Sequence, residues 1–235
     1  MNALLVDDER LARQELRRLL ASHADVTIVG EAVNVDDAVA RLADPSIDLV
    51  FLDIQMPGGS GFDVLERLDR VPLVVFTTAF DEYAVRAFEV NAFDYLMKPI
   101  RTDRLTAVLE KARAVLTPGR TERPGPSSER VFLRDGERCW IVPWADIALF
   151  EVEGNYARAY FGGNRPLIRV ALNSLEARLD PALFFRASRQ HIVNLRFIES
   201  VETAPDDSYI IRLKNRIEIP VSRRQSRQLR ESLGL

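Results

Sequence analysis

Several polar residues lie at, or directly after, the ends of short apolar runs in the first half of the sequence. Asp7 and Asp8 follow the first run, and Asp53 follows the third. Thr78 follows the fourth run and Lys98 follows the fifth. Three carboxylates placed close together repel one another unless a cation lies between them, and oxygen-only ligands suit Mg²⁺. A divalent ion also neutralises phosphoryl oxygens, so the pattern predicts an aspartate that accepts a phosphoryl group.

The elements around these residues predict a fold that brings them together. The apolar runs are Ala3–Val6, Val26–Val29, Leu49–Leu52, Leu73–Thr77 and Tyr95–Met97. Helical patterns separate and follow them, and the fourth pattern consists of Tyr83, Ala84, Ala87 and Phe88. Apolar runs flanked by helices are typical of a parallel sheet covered on both faces. We therefore expect a five-stranded, doubly wound α/β domain with its site at the carboxyl ends of the strands.

A segment rich in proline and glycine divides the chain. Residues 116–129 read LTPGRTERPGPSSE, which can neither continue a helix nor enter a core. We expect one domain over residues 1–117, a linker over 118–129 and a second domain over 130–235. The charge changes sign there: residues 1–117 hold 13 Lys+Arg against 20 Asp+Glu, and residues 118–235 hold 19 against 15.

Length and composition exclude several classes of protein. The 235 residues are 47% hydrophobic, which excludes a disordered chain. No apolar run approaches the roughly 18 to 20 residues that a membrane-spanning helix needs. The single cysteine, Cys139, excludes an internal disulfide and a cysteine-based zinc site. The N-terminus turns acidic early, so we expect no secretory signal and a cytoplasmic protein with no membrane partner.

The second half has the pattern of short antiparallel strands. Its β-branched and aromatic stretches are Arg130–Arg134, Cys139–Val142, Ala148–Val152, Tyr156–Phe161, Leu167–Val170 and Tyr209–Leu213. Asp135-Gly136 and Gly162-Gly163-Asn164 are typical hairpin turns. Two helical patterns, Asn173–Leu179 and Ser222–Leu233, interrupt the strands. We expect a mainly antiparallel β domain.

Basic residues are concentrated near the end of the chain. Residues 186–230 hold ten Lys+Arg and five Asp+Glu. Arginine suits guanine edges in a major groove, and Ser, Gln and further Arg suit phosphates. Arg223, Arg227 and Arg230 recur at helical spacing, so a basic stripe on one helix is expected. A solvated charged helix explains the same spacing, and charge alone does not separate the two interpretations.

Residues 1–117 resemble the receiver domain of two-component response regulators. The matching motifs are VDDE at 6–9, DIQMPGGSG at 53–61, TTAF at 77–80 and DYLMKP at 94–99. The resemblance implies that a sensor histidine kinase phosphorylates Asp53. It implies a magnesium site made of Asp7, Asp8, Asp53 and the backbone carbonyl of Gln55. It also implies that Thr78 and Tyr95 are switch residues and that Lys98 precedes a cis-proline, Pro99. Receivers of this kind commonly dimerise through the fourth helix, fifth strand and fifth helix, and we expect a homodimer here.

Other interpretations of the same residues were weighed. Asp7 and Asp8 could serve only to cap the helix that begins near Glu9, since aspartate is a good N-cap, but capping explains neither Asp53 nor Lys98. Tyr95 could be an ordinary aromatic residue of an edge strand. A phosphatase of the haloacid dehalogenase type needs a second aspartate two residues after the nucleophile, and Gln55 stands there, which excludes that class.

Residues 130–232 resemble the LytTR DNA-binding domain. The matching segments are FEVEGNYARAY at 150–160, SLEARLDPALFFRASRQHIVNL at 174–195 and IEIPVSRRQSRQL at 217–229. That family inserts loops into successive major grooves of duplex DNA. By resemblance, the base-reading residues are Asn155, Tyr156, Arg189 and Arg223, and the phosphate contacts come from Ser188, Gln190, Ser222, Arg224 and Arg227. Ser188 stands where the family often has histidine, so that contact departs from the usual pattern. Asn194, Phe197 and His191 are assigned to the fold.

Together the two resemblances imply a phosphorylation-controlled transcription regulator that is not itself an enzyme. Two other classes remain open on the residues alone. In the first, the chain is a phosphate relay or phosphatase whose basic half binds only protein. In the second, the basic half binds RNA, which would require exposed aromatic side chains among the basic residues.

Overall fold

A computed structural model of the chain describes residues 1–79, 92–116, 129–136, 138–204 and 208–233, with side chains up to Arg230. These residues form two compact units. The first holds the described residues up to Val142, and the second holds those from Pro143 onward. The predicted fourth helix and most of the predicted linker lie outside the described residues. Within the described part of the chain, no helix has the length and apolar character needed to cross a membrane.

A parallel sheet forms the centre of the first unit. The strands of this part of the unit are β1 (Asn2–Val6), β2 (Thr27–Ala32), β3 (Leu49–Asp53), β4 (Gln55–Met56), β5 (Gly59–Ser60), β6 (Leu73–Thr78) and β7 (Asp94–Met97). Five of them lie in the order β2-β1-β3-β6-β7, with every neighbouring pair parallel. The small hairpin β4-β5 follows β3 directly. The five predicted strands and their parallel arrangement are confirmed.

Helices cover both faces of this sheet. They are α1 (Arg10–Leu20), α2 (Val35–Leu42), α3 (Gly61–Glu66) and α4 (Thr102–Leu116), the last corresponding to the predicted fifth helix. Successive strand residues point to opposite faces of a sheet. The strand residues packed with α2 and α3 are Leu4, Val6, Val50, Leu52, Val74 and Phe76. Those packed with α1 and α4 are Ala3, Leu5, Leu49, Phe51, Leu73 and Val75. The predicted doubly wound arrangement is confirmed.

Side-chain caps fix the starts of two of these helices. The Asn34 side chain accepts a hydrogen bond from the N–H of Asp37 at 2.9 Å, ahead of α2. At α3, the Ser60 Oγ accepts from the N–H of Asp63 at 3.3 Å, and the Asp63 carboxylate accepts from the N–H of Ser60 at 2.7 Å. Such a capping box satisfies N–H groups that a helix start leaves unpaired. The capping box therefore fixes the start of α3, which is where the loop after Asp53 ends.

A further hairpin packs on the first unit. It consists of β8 (Arg130–Asp135) and β9 (Arg138–Pro143), and it turns at the predicted Asp135-Gly136 pair, where Gly136 has a φ of +62°. Its residues Phe132, Cys139 and Ile141 are buried in the core cluster that lies between the sheet and helices α2 and α3. The sequence places this hairpin after the linker, in a domain beginning at residue 130. By packing it belongs to the first unit, because its apolar face is buried against α3.

Antiparallel sheets form the second unit. Its strands are β10 (Leu149–Glu153), β11 (Tyr156–Tyr160), β12 (Leu167–Ile168), β13 (Phe184–Arg186), β14 (His191–Asn194), β15 (Ile198–Thr203), β16 (Tyr209–Leu213) and β17 (Glu218–Val221). Its helices are α5 (Leu172–Arg178) and α6 (Arg223–Leu233). One sheet has the order β12-β11-β10-β14-β13 and the other has the order β15-β16-β17. The predicted mainly antiparallel β domain is confirmed, although the sequence pattern did not single out β13, β14, β15 or β17.

The core of the second unit joins its two sheets and its last helix. Leu149 and Val193 from the first sheet, Ile211 from the second and Leu229 from α6 lie in one buried cluster. Asn194 is fully buried, and its amide donates to the carbonyl oxygens of Ala145 at 3.1 Å and Ile147 at 2.9 Å. The side chain of Asn194 therefore holds the fold together, in agreement with its predicted role.

Candidate functional site

The predicted phosphoryl site lies at the carboxyl end of the parallel sheet. Asp7 and Asp8 follow β1, and Asp53 is the last residue of β3. Carboxylate oxygens of these three residues lie within 4.8 Å of one another. Asp7 and Asp53 are each only 6% exposed. The neighbouring positions of β1 and β3 in the sheet thus bring together carboxylates that are far apart in the sequence.

Lys98 places a positive charge in the same site. Its Nζ lies 2.7 Å from Asp7 Oδ2 and 2.9 Å from Asp53 Oδ2. Its backbone N–H donates to the carbonyl oxygen of Thr78 at 2.8 Å, which holds the end of β7 against the end of β6. The peptide bond between Lys98 and Pro99 is cis, as the receiver resemblance implied.

The charges in this site are strongly coupled. Burial raises the pKa of Asp53, the negative charge of Asp7 adds to the rise, and the hydrogen bond and charge of Lys98 oppose it. Burial alone would lower the pKa of Lys98, but its hydrogen bonds to Asp7 and Asp53 outweigh burial and raise it. Lys98 is therefore protonated at neutral pH.

The donor set of the site fits a hard divalent cation. It consists of carboxylate oxygens only, from Asp7, Asp8 and Asp53, and Mg²⁺ prefers such ligands. A bound cation would favour the ionised form of Asp53, opposing the effect of burial. The backbone N–H of Gln55 donates to Asp53 Oδ1 at 3.3 Å, so Gln55 lies beside the cluster. The role of its carbonyl oxygen as a metal ligand stays a prediction.

Gly61 allows the chain to pass close to Asp53. A Cβ atom at this position would lie 2.5 Å from the carbonyl oxygen of Asp53 and 3.0 Å from Cγ of Leu52. The backbone N–H of Gly61 donates to the carbonyl oxygen of Ile54 at 2.9 Å, which closes the loop between β3 and α3. Only glycine fits this approach without a shift of the backbone that carries Asp53.

The two predicted switch residues lie on neighbouring strands. Thr78 ends β6 and is 1% exposed. Tyr95 lies on β7, opposite Phe76 in the register of the two strands. Its ring packs against the core on the α2–α3 side, and the guanidinium carbon of Arg104 lies 6.0 Å from the ring centroid. The switching role of Thr78 and Tyr95 stays a prediction.

Helix capping does not account for the acidic cluster. The carboxylate of Asp7 does accept a hydrogen bond from the N–H of Glu9 at 2.9 Å, just ahead of α1. The N-cap of α1 is Glu9, which makes no capping bond with its side chain. Asp7 therefore steadies the turn into α1 with one oxygen while its other oxygen contacts Lys98, and its role as a metal ligand stays a prediction.

In the second unit, three segments predicted to contact DNA meet at one end of the sheets. They are the β10–β11 turn, the β13–β14 loop and the start of α6. The N–H of Val152 donates to the carbonyl oxygen of Gln190 at 2.8 Å, which joins the first two segments. The N–H of Ser222 donates to the carbonyl oxygen of Ala187 at 2.9 Å, which joins the second and the third.

The nine predicted DNA-contacting residues all lie on these three segments. Asn155 is exposed in the β10–β11 turn, beside Gly154 with a φ of +64°, and Tyr156 is 42% exposed. Ser188 is half-buried in the β13–β14 loop. The exposed members of the set in the other two segments are Arg189, Gln190, Ser222, Arg223, Arg224 and Arg227. The structure thus brings the predicted set together, while its contact with DNA stays a prediction.

The large aromatic residues of the second unit are mostly buried. The rings of Trp144, Phe150 and Phe184 form one cluster, with centroid distances of 6.1 to 6.5 Å. Each of the three residues is at most 6% exposed. These rings are therefore part of the core and do not form a stacking surface for single-stranded bases.

The sequence interpretation missed Arg186, which shapes the β13–β14 loop. Its guanidinium donates to the carbonyl oxygens of Ser188 at 2.7 Å and Arg189 at 3.0 Å. A third bond, of 2.8 Å, joins it to the Glu176 carboxylate on α5. The motif FFR contains Arg186, but nothing in the linear pattern distinguishes an arginine that binds loop carbonyls from one that binds DNA.

Comparison with known proteins matches two parts of the chain to two families. A family model described as the response regulator receiver domain matches residues 3–110, and one described as the LytTr DNA-binding domain matches residues 137–234. The sensory transduction protein LytT of Enterococcus faecalis is 37% identical over 241 aligned residues that span all of both chains. The transcriptional regulatory protein BtsR of Escherichia coli K12 is 36% identical, again over the full length of both.

The chain belongs to the response regulators with a LytTR DNA-binding domain. The chain therefore acts in two-component signalling and in the regulation of transcription. In this LytTR response regulator, the acidic cluster lies within the receiver match, and the three converging segments lie within the DNA-binding match. Strand β8 lies between the two matches.

Proposed function

We propose that this response regulator accepts a phosphoryl group on Asp53 from a sensor histidine kinase and then binds specific duplex DNA as a dimer. The observation that carries the first part is the cluster of Asp7, Asp8 and Asp53 oxygens within 4.8 Å, with Lys98 beside it. In this proposal the chain is a phosphoryl acceptor in the cytoplasm and not an enzyme.

The residues of the site would divide the work of phosphoryl transfer. A carboxylate oxygen of Asp53 forms a bond to phosphorus while the bond from phosphorus to the kinase histidine nitrogen breaks. Mg²⁺ held by Asp7, Asp8, Asp53 and the Gln55 carbonyl would supply charge neutralisation for the phosphoryl oxygens. Lys98 moves its ammonium from the carboxylates to the new phosphoryl group, and Thr78 donates its hydroxyl hydrogen to it.

Phosphorylation would change the face that follows Thr78 and Tyr95. When Thr78 turns toward the phosphoryl group, space opens for the ring of Tyr95 to move inward. Of the proposed dimer face, β7 and α4 are described, and they carry charged groups joined by Asp94, which pairs with Arg104 at 3.3 Å and Lys111 at 3.2 Å. A charged face of this kind can pair with a second copy through exchanged ion pairs.

The observation that carries DNA binding is the convergence of three segments, described above, in the second unit. Arg189 and Arg223 would donate to base edges, together with Asn155 and Tyr156. The phosphate-contacting residues would be Ser188, Gln190, Ser222, Arg224 and Arg227. An interface built from loops on three different elements suits reading over successive grooves.

Phosphodonor labelling tests the acceptor. Asp53→Asn should abolish incorporation of label from acetyl phosphate in the presence of Mg²⁺, because the amide cannot attack phosphorus. Asp36→Asn is the matched control, since the Asp36 side chain is 86% exposed on α2 and should label normally. Label that persists on another residue of Asp53→Asn would contradict the assignment.

Binding to duplex fragments selected from random sequence tests the DNA surface. Arg189→Ala should weaken binding to the selected site by about ten- to a hundredfold and leave non-specific binding nearly unchanged. Arg227→Ala should weaken both and flatten the salt dependence by about one charge. Arg18→Ala, an exposed arginine of α1, is the control that should change neither.

Two outcomes would favour another class. If the chain is indifferent to duplex sequence, the basic half would act in protein contacts and the chain would be a relay. If single-stranded RNA competes better than duplex DNA, the RNA-binding interpretation would replace the present one.

A further inference from the structure

A chain of polar contacts runs from the first sheet of the second unit to the β13–β14 loop. The Tyr160 hydroxyl donates to Glu151 Oε2 at 2.5 Å. The other carboxylate oxygen of Glu151 lies 3.6 Å from His191 Nε2. The opposite ring nitrogen of His191, Nδ1, lies 3.0 Å from Ser188 Oγ. The side chain of His191 is 12% exposed, whereas that of Glu151 is 41% exposed, so water reaches the Glu151 end of this chain of contacts.

The hydroxyl of Ser188 has one hydrogen to donate, and the protonation of His191 decides where it points. Oγ of Ser188 already accepts a hydrogen bond from the N–H of Gln190 at 3.1 Å. In the neutral tautomer that carries its proton on Nε2, on the side of Glu151, Nδ1 can only accept, and the Ser188 hydrogen points at the ring. When His191 gains its second proton, Nδ1 becomes a donor to Ser188 Oγ. The Ser188 hydrogen must then turn away from the ring, toward the surface of the loop.

We propose that His191 is a positioning residue which acts through Ser188 and makes DNA binding by this unit tighten as the pH falls through neutrality. The inference rests on the proposed function, in which Ser188 contacts a DNA phosphate. With neutral His191, Ser188 can offer a phosphate only acceptor lone pairs. With charged His191, Ser188 offers its hydrogen.

The charged and titratable groups that face His191 and its loop come from three neighbouring strands. From β10, the Glu151 carboxylate lies 3.6 Å from His191 Nε2. From β11, Tyr160 stays protonated, because burial and then its hydrogen bond to Glu151 raise its pKa to about 12. From β13, Arg186 is engaged by the Glu176 carboxylate and by the carbonyl oxygens of Ser188 and Arg189. Arg189 itself is exposed in the loop. Histidine is the side chain whose ordinary titration falls between about pH 5 and pH 8.

The test compares DNA affinity at several pH values and constant ionic strength, with the full chain and a duplex fragment selected from random sequence. The unmodified chain should bind about three- to tenfold more tightly at pH 6 than at pH 8, the ratio expected for one added hydrogen bond. His191→Gln and Ser188→Ala should each lose most of that ratio. His23→Gln removes the other histidine of the sequence and should retain it.

Ser188→Ala separates this inference from a direct charge effect. It keeps the charge of His191 but removes the hydroxyl that His191 redirects. A full pH ratio in Ser188→Ala would overturn the inference, because the imidazolium would then act on DNA directly. Sequence-specific binding that does not depend on pH would overturn the inference alone, whereas the absence of duplex binding at every pH would overturn the proposed function as well.

A measurement without DNA checks the geometry. Nitrogen-15 spectra of the two imidazole rings, assigned with His23→Gln, should show His191 protonated on Nε2 at high pH. A neutral ring protonated on Nδ1 would overturn the inference, because Ser188 would then accept from His191 in both charge states.

Discussion

At the scale of single residues, the phosphoryl site depends on small side chains as much as on charged ones. The pairing of β1 with β3 brings the carboxylates of Asp7 and Asp53 together, and the backbone after β3 passes close to Asp53 at Gly61. A methyl group there would enter the space of the Asp53 carbonyl oxygen, 2.5 Å away. The position of Asp53, the proposed phosphoryl acceptor, is therefore linked to a residue without a functional group.

Gly61→Ala should destabilise the first unit and slow phosphorylation. The expected loss is about 1–3 kcal/mol of unfolding free energy, because backbone must shift to admit the methyl group. Urea unfolding measures the stability, and acetyl phosphate labelling measures the rate. Gly58→Ala is the comparison: an alanine is strained at its φ of +82° and also costs stability, but a Cβ there would meet nothing within 4 Å and so leaves the backbone of Asp53 in place. A labelling rate that is equal in both variants would contradict a specific role for Gly61.

The sequence predicted charged residues better than their partners. Asp7, Asp8, Asp53 and Lys98 each follow a strand, and strand ends converge in any parallel sheet, so their meeting could be foreseen. The contacts of Arg186 and His191 could not, because both residues form hydrogen bonds to atoms of one loop. Such bonds depend on the path of the loop between β13 and β14, and the residue types do not reveal that path.

At the scale of elements, the hairpin β8-β9 packs with the first unit, although β9 lies within the LytTr family match. It follows a linker, and a linker normally separates the elements before it from those after it. Its apolar side nevertheless packs on α3, where the ring of Phe132 lies 6.5 Å from that of Phe62. The N–H of Val71 donates to the carbonyl oxygen of Arg130 at 3.0 Å, and Arg134 pairs with Asp63 at 3.1 Å. The alternation of apolar residues predicted the strands β8 and β9, but it carries no information about the domain on which their apolar side packs.

Phe132→Ala should lower the stability of the first unit. Phe132 is 7% exposed, and removal of a buried phenylalanine ring costs about 3–5 kcal/mol. The readout is urea unfolding followed by hydrogen exchange of amides in β6 and α3. Arg134→Ala is the control in the same strand and should cost less than about 1 kcal/mol, since its ion pairs are partly exposed. If Phe132→Ala left exchange in β6 and α3 unchanged, the hairpin would not be part of that core.

At the scale of the whole molecule, the net charge of −3 is the sum of two parts of the sequence that carry opposite net charges. The acidic part includes the carboxylates proposed to hold Mg²⁺, and the basic part includes the three converging segments. The acidic cluster and the basic segments are local features, so a property of the whole chain, such as its isoelectric point, predicts neither of them. The change of sign along the sequence was informative because it coincides with the division of labour between the receiver and the LytTR unit.

Activation should change the mass of the particle in solution. With Mg²⁺ and beryllofluoride, an acyl phosphate mimic, the chain should sediment as a dimer, and Asp53→Asn should sediment as it does without the mimic. A dimer presents two DNA-binding units at once, so its affinity for a two-site duplex should rise by about a hundredfold over a single site. Sedimentation that is the same with and without the mimic would count against dimerisation through the receiver.

The packing of the β8-β9 hairpin also bears on how such regulators exchange parts during evolution. A recombination point in the proline- and glycine-rich segment looks natural in the sequence, but it would graft a new output domain together with a foreign hairpin. The apolar side chains of that hairpin would have to fit a receiver surface with which they have no shared history. A junction after Val142 would keep the hairpin with the receiver surface on which it packs, although the LytTr family match begins at residue 137. We therefore expect functional chimaeras of this receiver to tolerate the later junction better than the earlier one.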